Sequence, residues 1–331
     1  MKLAVCMAAL LSLGATLCAA SDEKEIVLKM VETSDVHGSY FPYDFIRNRP
    51  LKGGLASVSS YVNELREEYG DRLLLMDNGD ILQGQPVAYY YNYIDTTSVH
   101  VNAAILNYMK YDVGTVGNHD IETGHAVYDR WIRQCNFPIL GANVIDVNTG
   151  KPYLPPYKVF EREGVKVVVL GMITPGVPSW LPENLWSGLR FEDMETCARK
   201  WVEIIQRDEK PDVLVGLFHA GPESNKLDGI IENGSGEVAR NVPGFDVIFM
   251  GHDHVKRCEK IVNAVGDSVL IIDPSNAARL VSDVTVRLKV KDGKIASKSL
   301  EGNLVDMTQY AADEKFMEEF KSQYELSLIH I

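Results

Sequence analysis

The chain has 331 residues, of which 46% are hydrophobic and 24% charged, as is typical of a folded protein with a sizeable core. Its formal net charge of −13 argues against a surface that binds a nucleic-acid polymer, because such surfaces carry basic patches. The charge does not exclude small phosphorylated ligands, since a bound metal can reverse the local field.

The first twenty residues, MKLAVCMAALLSLGATLCAA, have the layout of a secretory signal. Lys2 is followed by an uncharged apolar run and then by small residues, so cleavage is expected after Ala20. A membrane anchor would need a longer apolar run, and no other segment is long and apolar enough to span a bilayer. We therefore predict a signal peptide over 1–20 and a secreted or periplasmic protein without stable membrane insertion.

Apolar, β-branched runs recur along the chain, and each ends in a polar or glycine-containing loop. Runs of this kind predict buried strands, here over 25–35, 72–80, 111–120, 165–173, 211–221, 245–254 and 268–276. Apolar residues at helical spacing predict helices over 53–70 and 193–210. This alternation predicts a layered α/β domain, which the cleanly alternating segment 282–290 would complete as an antiparallel or edge strand.

Two further segments have a distinctive composition. The run VAYYYNYI (87–94) could form a surface for stacking bases, but aromatic runs are more often core, so we expect a helix packed under the sheet. From Ala311 onward the sequence becomes charged and predicts the start of an amphipathic helix.

Side chains that can bind metals follow most of the predicted strands, and five of the eight histidines lie in these loops. The carboxyl ends of strands in an α/β sheet converge on one edge, so residues far apart in sequence can meet there. Carboxylate, imidazole and amide groups suit Mn, Zn, Fe or Co rather than Ca or a thiolate site. The candidate residues are Asp35, His37, Asp80, Asn118, His119, His219, His252 and His254.

This number of ligands is sufficient for two divalent ions, with Asp80 as the natural bridge between them. Two ions and two carboxylates leave a residual positive charge, which suits a phosphate and a hydroxide. Ions about 3.5–4 Å apart can generate hydroxide at neutral pH and stabilise an in-line displacement. The chain has no HExxH motif, which disfavours a zinc peptidase.

The ordered motifs DxHG, GDxxxG, GNHD, His-Ala-Gly and GHxH closely resemble those of the calcineurin-like metallophosphoesterases, and among these the secreted nucleotidases. The resemblance runs from Ile26 to Val290. It implies an α/β fold with a layered β-sandwich core flanked by helices and a metal site at the C-terminal ends of the strands.

The resemblance also implies an enzyme, a two-metal phosphohydrolase that acts on nucleotides as a 5′-nucleotidase or a 2′,3′-cyclic-nucleotide 2′-phosphodiesterase/3′-nucleotidase does. The segments DNGDILQGQP, GANVID and PGFDVIFMGHDH look most like the cyclic phosphodiesterases. A UDP-sugar hydrolase is an alternative with the same metal chemistry. A non-catalytic metal-binding module is a remote alternative, because such a module would be expected to lack a ligand.

By this resemblance, Asp35, His37, Asp80 and His254 would hold one metal, and Asp80, Asn118, His219 and His252 would hold the other. A hydroxide between the metals would attack phosphorus, while His119 contacts the phosphate and protonates the leaving oxygen. The 5′-nucleotidases have an orienting Asp three residues after this histidine, where this chain has Glu122. The residue that orients His119 is therefore open between Glu122 and Asp120.

The same resemblance predicts the domain plan. After the signal peptide, a catalytic domain would occupy 21–310, and 311–331 would be the start of a linker helix. Similar nucleotidases continue into a C-terminal domain that grips the nucleoside, and we expect this chain to be truncated before it.

Overall fold

The computed structural model describes residues 23–223, 226, 227 and 229–329, so the predicted signal peptide lies outside the described residues. Within that part of the chain, two six-stranded sheets are formed by strands numbered here in chain order. These are β1 Glu23–Thr33, β2 Leu73–Asp77, β3 Val113–Thr115, β4 Ile139–Leu140, β5 Tyr157–Arg162, β6 Val165–Ile173, β7 Val213–His219, β8 Val247–Met250, β9 Lys256–Val262, β10 Ser268–Pro274, β11 Leu280–Lys291 and β12 Lys294–Asp306.

Each sheet combines parallel strands with antiparallel ones, which lie on one side of the first sheet and on both sides of the second. The first sheet has the order β12–β11–β1–β2–β3–β4, and the second has the order β9–β10–β8–β7–β6–β5. Strands β1 to β4 run parallel to one another, as do β6, β7, β8 and β10. Residues 282–290 lie in β11, which pairs antiparallel with β1 as predicted, although β12 covers its other side.

Alternate residues of the central strands pack into two different cores. In β6, Val167 and Val169 lie between the two sheets, whereas Val168 and Leu170 pack against helices on the outer face. This period of two is the signature of a strand. Because both faces are buried, the strands have continuous apolar sequences, which made them recognisable in the sequence.

Helices cover both outer faces and complete the layered α/β sandwich that the sequence predicts. The α-helices of the described residues are α1 Leu55–Tyr69, α2 Pro86–Tyr89, α3 Val101–Tyr108, α4 Asn118–Ile121, α5 His125–Gln134, α6 Val177–Trp180, α7 Met194–Asp208, α8 Ser235–Asn241, α9 Glu314–Glu319 and α10 Lys321–Ile329. Helices α1, α3, α5 and α9 pack against the first sheet, and α7 and α8 pack against the second. None of these helices, in the part of the chain that the structure describes, is long and apolar enough to cross a membrane.

Short elements connect the layers. Two-stranded ribbons pair Tyr43–Asp44 with Arg49–Pro50, Val144–Asp146 with Leu189–Phe191, and Lys226–Leu227 with Ile230–Ile231. A π-helical turn spans Tyr90–Ile94, and 3-10 turns span Gly70–Arg72, Glu183–Leu185 and Met307–Gln309.

Two segments differ from the expectation. The tyrosine run was expected to be core, which is wrong for Tyr89 and Tyr93, whose side chains are 60% and 46% exposed. The cause is the π-helical turn, which buries Tyr91 and Asn92 instead. The predicted carboxyl-terminal helix is divided into α9 and α10 at Phe320, whose ring is buried against Phe316.

Candidate metal centre

The predicted metal ligands all lie at the carboxyl ends of parallel strands, where the two sheets meet at one edge. Three loops of the first sheet and two segments of the second supply these side chains. Asp35 and His37 follow β1, Asp80 follows β2, Asn118 follows β3, His219 ends β7, and His252 and His254 follow β8.

The structure brings six of these side chains together in two adjacent groups. Ligand atoms of Asp35, His37 and His254 lie within 4.8 Å of one another. The same holds for Asp80, His219 and His252. Nε2 of His219 lies 3.3 Å from Oδ2 of Asp80 and 4.0 Å from Oδ1 of Asp35, so the two groups share a border.

Several polar atoms of these groups are buried without a hydrogen-bond partner. They are Oδ1 of Asp35, Nδ1 of His37, Oδ1 of Asn118 and Nε2 of His219. Buried polar atoms are normally satisfied, so a cluster of unpartnered oxygens and nitrogens needs an explanation. Carboxylate, imidazole and amide donors are suited to divalent transition metals, and the residues present fit a two-cation centre.

Hydrogen bonds orient two of the imidazoles from behind. Nδ1–H of His219 donates to the carbonyl oxygen of Asn78 over 2.6 Å, which leaves Nε2 facing Asp80. Nδ1 of His254 forms a 2.9 Å hydrogen bond with the side-chain amide of Asn276, and its Nε2 lies 3.2 Å from Oδ1 of Asp35. Outer contacts of this kind set the direction of metal-binding histidines.

The backbone of the ligand loops is strained. Asp35, His37, Asp80, His252 and His254 have positive φ angles of 51°, 48°, 55°, 79° and 57°. A non-glycine residue in this left-handed region costs roughly 1–2 kcal/mol. Such conformations persist only where surrounding contacts hold them, and they cluster at functional sites.

The carboxylate of Asp120 is one of the groups that hold this backbone. Its Oδ2 accepts hydrogen bonds from the N–H groups of Asp80 and Gly117, each over 2.8 Å. Its Oδ1 accepts from the N–H groups of Ile81 and Leu82 over 3.0 and 2.9 Å. Burial, together with the charge of Asp80, raises the pKa of Asp120 to about 6. Asp120 therefore joins the Asp80 loop to the Asn118 loop.

His119 lies beside the two groups and pairs with Glu122. Its Nδ1 is 2.6 Å from Oε2 of Glu122, and its backbone N–H donates to Oδ1 of Asp80 over 2.8 Å. Its ring centre is 5.4 Å from that of His37. Of the two acids that the sequence left open, the structure places Glu122 at the imidazole and Asp120 at backbone amides.

The charges of the buried groups depend on one another. Burial by itself would raise the pKa of Asp80, but His219 and His119 outweigh it and lower the pKa well below its usual range. Burial by itself would lower the pKa of His219, but the carboxylates of Asp80 and Asp35 raise it to about 10. A site that draws a proton onto a fully buried imidazole has a demand for positive charge that a divalent cation can meet.

Three neighbours of the centre were missed by the sequence reasoning. Oε1 of Glu232 lies 3.0 Å from Nε2 of His252, and the indole of Trp180 lies 5.4 Å from the same imidazole. Oγ of Ser34 donates to Oδ2 of Asp35 over 2.5 Å. Ser34 could have been noticed because it directly precedes the predicted ligand Asp35. Glu232 lies in a loop and Trp180 ends the short helix α6, and neither belongs to a motif.

Comparison with known proteins agrees with this geometry. The family profile described as calcineurin-like phosphoesterase matches residues 28–256. A 2′,3′-cyclic-nucleotide 2′-phosphodiesterase/3′-nucleotidase of Haemophilus influenzae is 31% identical over 247 residues, which cover 71% of this chain and 37% of that protein. A 5′-nucleotidase of Vibrio cholerae is 28% identical over 248 residues, which cover 73% of this chain and 43% of that protein. The chain thus matches less than half the length of these relatives.

Solved structures share the fold over nearly the whole chain. The calcineurin-like phosphoesterase YfkN of Bacillus subtilis superimposes with a TM-score of 0.80 at 24% identity, covering 93% of this chain and 99% of that one. A putative 5′-nucleotidase of Staphylococcus aureus gives a TM-score of 0.76 at 24% identity, covering 91% of this chain and 58% of that one.

Proposed function

The chain belongs to the calcineurin-like phosphoesterases, and from that premise we propose that it is a two-metal hydrolase of phosphate esters whose substrates are nucleotides. The observation that carries the proposal is the pair of adjacent ligand groups with an imidazole–carboxylate pair beside them. The names of the relatives from Haemophilus influenzae and Vibrio cholerae support nucleotides as the substrate class.

We assign the ligands as the sequence predicts. Asp35, His37, Asp80 and His254 would hold one divalent ion, and Asp80, Asn118, His219 and His252 the other. Such ions, when bound, lower the pKa of a water molecule and stabilise the charge that develops on a phosphoryl group. Asp80 suits the shared position, because its carboxylate borders His219 and its loop is fastened by Asp120.

His119 is proposed to protonate the leaving oxygen. Its Nδ1 is engaged by Glu122, so Nε2 is the nitrogen that remains for the substrate. The carboxylate of Glu122 holds the ring orientation and stabilises the imidazolium, which a general acid requires. The hydrogen bond from the His119 backbone to Asp80 keeps the acid beside the metal ligands.

The test is an assay of residues 21–331 with Mn²⁺ on AMP, 3′-AMP, 2′,3′-cyclic AMP, UDP-glucose and p-nitrophenyl phosphate. We expect hydrolysis of at least one nucleotide, measured as release of phosphate from AMP or 3′-AMP or as formation of adenosine monophosphate from 2′,3′-cyclic AMP. His119→Ala should lower kcat by roughly 10²–10⁴-fold, since general acid catalysis contributes that much, and should bind metal as well as the wild type. Glu122→Gln should cause a smaller loss.

A matched control is available in His125, whose Nδ1 lies 3.1 Å from Oδ2 of Asp129 in a second imidazole–carboxylate pair. His125→Ala should leave kcat unchanged. If none of the five compounds were hydrolysed, the proposed function would be contradicted. Loss of bound metal in His119→Ala would instead make His119 a ligand.

The predicted signal peptide over 1–20 leads us to propose that this hydrolase acts outside the cytoplasm, in the periplasm or secreted.

A further inference from the structure

A cavity of about 550 Å³ lies beside His119, and metal chemistry does not account for its lining. His119 and Glu122 form part of its wall, and Tyr89, Tyr93 and Trp180 form other parts. Small-molecule sites have volumes of about 300–1,000 Å³, so the cavity has room for a ligand the size of a nucleoside.

The aromatic side chains of this cavity are unusually exposed. Tyr89, Tyr93 and Trp180 keep 60%, 46% and 38% of their surface accessible. Aromatic residues supply much of the apolar area that a fold buries, and a group of them left open is typical of a binding surface.

The tyrosine run, residues 87–94, is held in this position by a buried polar contact. Asn92, which is 4% exposed, donates its side-chain N–H to the carbonyl oxygen of Leu82 over 2.8 Å, in the loop that carries Asp80. The π-helical turn around Asn92 leaves Tyr89 and Tyr93 outside, with ring centres 5.0 Å apart. Such turns are frequent at functional sites. The tyrosines are thus tied to a loop of the metal centre.

Trp180 connects the cavity to the other side of the centre. Its indole lies 5.4 Å from the imidazole of His252, with an angle of 40° between the rings. A Cβ atom at Gly176 would lie only 2.5 Å from Cη2 of Trp180, so the glycine allows the indole to pack close to the backbone.

We propose that this cavity is a leaving-group subsite and that it holds the planar aromatic part of the substrate, the base of a nucleotide, against Tyr89, Tyr93 and Trp180. This inference rests on the proposed function and deepens it, because it assigns a position to the nucleotide base and predicts a preference for phosphate esters of nucleosides over phosphate esters of simple sugars. If His119 protonates the leaving oxygen, the leaving group must lie on the same side of the metal centre as His119. The cavity begins on that side, because His119 forms part of its wall. Stacking on aromatic rings accepts any base, so the subsite distinguishes aromatic from non-aromatic leaving groups.

The first experiment compares kcat/KM for AMP and for ribose 5-phosphate, which lacks the base, using residues 21–331 with Mn²⁺. We expect the wild type to prefer AMP by about tenfold or more, as base stacking on one aromatic ring can provide. Trp180→Ala and Tyr93→Ala should each lower the ratio of the two kcat/KM values by about tenfold.

Tyr108→Ala is the matched control, because Tyr108 is 37% exposed at the end of α3 and lines a different cavity. Its ratio should equal that of the wild type. Equal use of the two substrates by the wild type would overturn the inference while leaving the proposed function intact. An unchanged ratio in both Trp180→Ala and Tyr93→Ala would also overturn it.

A second experiment requires no hydrolysis. Saturation-transfer NMR on the chelated chain should show contacts to the base protons of adenosine in the wild type and in Tyr108→Ala, and should show weaker contacts in Trp180→Ala. Free ribose should give no signal. A chain that binds adenosine but hydrolyses no ester would contradict only the proposed function, whereas hydrolysis of AMP without adenosine contacts would contradict the subsite.

Discussion

Gly117 illustrates how tightly the ligand loops are packed. A Cβ atom at this position would lie 2.0 Å from Oδ1 of Asp80 and 2.6 Å from its backbone nitrogen. The φ angle of Gly117 is −104°, which any residue can adopt, so the requirement for glycine is steric. The absence of a side chain lets the Asp80 carboxylate lie against the loop that carries Asn118 and His119.

We therefore expect Gly117→Ala to displace Asp80 and weaken Mn²⁺ binding by about 10–100-fold, the range found when the support of a metal ligand is removed. Isothermal titration calorimetry measures the effect. The control is Gly164→Ala, in the turn between β5 and β6, where a Cβ meets open space although φ is +81°. Gly164→Ala should lose some stability and keep its metal affinity. Wild-type affinity in Gly117→Ala would show that Asp80 is not a ligand.

Helix α3 depends on a buried histidine at its amino-terminal end. Nδ1 of His100 accepts a hydrogen bond from the N–H of Asn102 over 3.2 Å, so Nε2–H donates to Oδ1 of Asn92 over 2.8 Å. Burial, with a smaller contribution from Arg130, lowers the pKa of His100 to about 3. The cap of α3 and the anchor of the tyrosine run both require a neutral imidazole.

Acidification should therefore destabilise the fold through His100. Its ordinary pKa is 6.5, so between pH 6.5 and about 3 the unfolded chain binds a proton that the folded chain does not. The stability it contributes is complete above pH 6.5 and is lost as the pH falls, by about 2 kcal/mol at pH 5. In His100→Asn, which keeps an acceptor for α3, the free energy of unfolding should fall about 2 kcal/mol less between pH 7 and pH 5 than in the wild type. Urea denaturation of the metal-free proteins at pH 7 and pH 5 measures the free energy of unfolding. If it fell by the same amount in His100→Asn and in the wild type, His100 would be able to bind a proton in the folded protein.

At the scale of the whole molecule, the candidate metal centre lies where the two sheets meet. Asp35, Asp80 and Asn118 come from the first sheet, and His219 and His252 come from the second. The apolar core between the sheets already holds the two layers together. At the edge of the sheets, however, buried carboxylates and imidazoles lie close together, and several of their polar atoms have no hydrogen-bond partner. Ions bound there would stabilise the packing of one sheet on the other.

Chelation should therefore lower the melting temperature, and Mn²⁺ should restore it. A ligand at one hundred times its Kd stabilises a fold by about 2.7 kcal/mol. Differential scanning calorimetry with EDTA or Mn²⁺ measures the shift, which Asp80→Asn should reduce. Asp129→Asn, a carboxylate beside His125 outside the ligand groups, should keep the full shift. Identical melting temperatures with EDTA and Mn²⁺ would contradict a metal centre between the sheets.

Sequence patterns were most informative where strands are buried on both faces. Segment 165–173 coincides with β6 at both ends, because an apolar run that only Lys166 and Gly171 interrupt leaves little alternative. They were less informative at the functional edge. Segment 111–120 was predicted as one strand, but β3 ends at Thr115 and α4 begins at Asn118. The carboxylate of Asp120 accepts hydrogen bonds from a loop forty residues earlier in the chain, and these bonds, which shape the segment, are not visible in the local sequence pattern.

The sequence by itself determined the α/β class and the residues that can bind metal, because apolar strands and the polar residues after them are local features. Only the tertiary structure decided how these side chains divide into two groups, why Glu122 rather than Asp120 contacts His119, and where Tyr93 and Trp180 lie. These relations depend on how the two sheets pack and on contacts between distant loops. The packing of the sheets and loops determines which groups a side chain contacts, whereas the residue type alone determines its functional group.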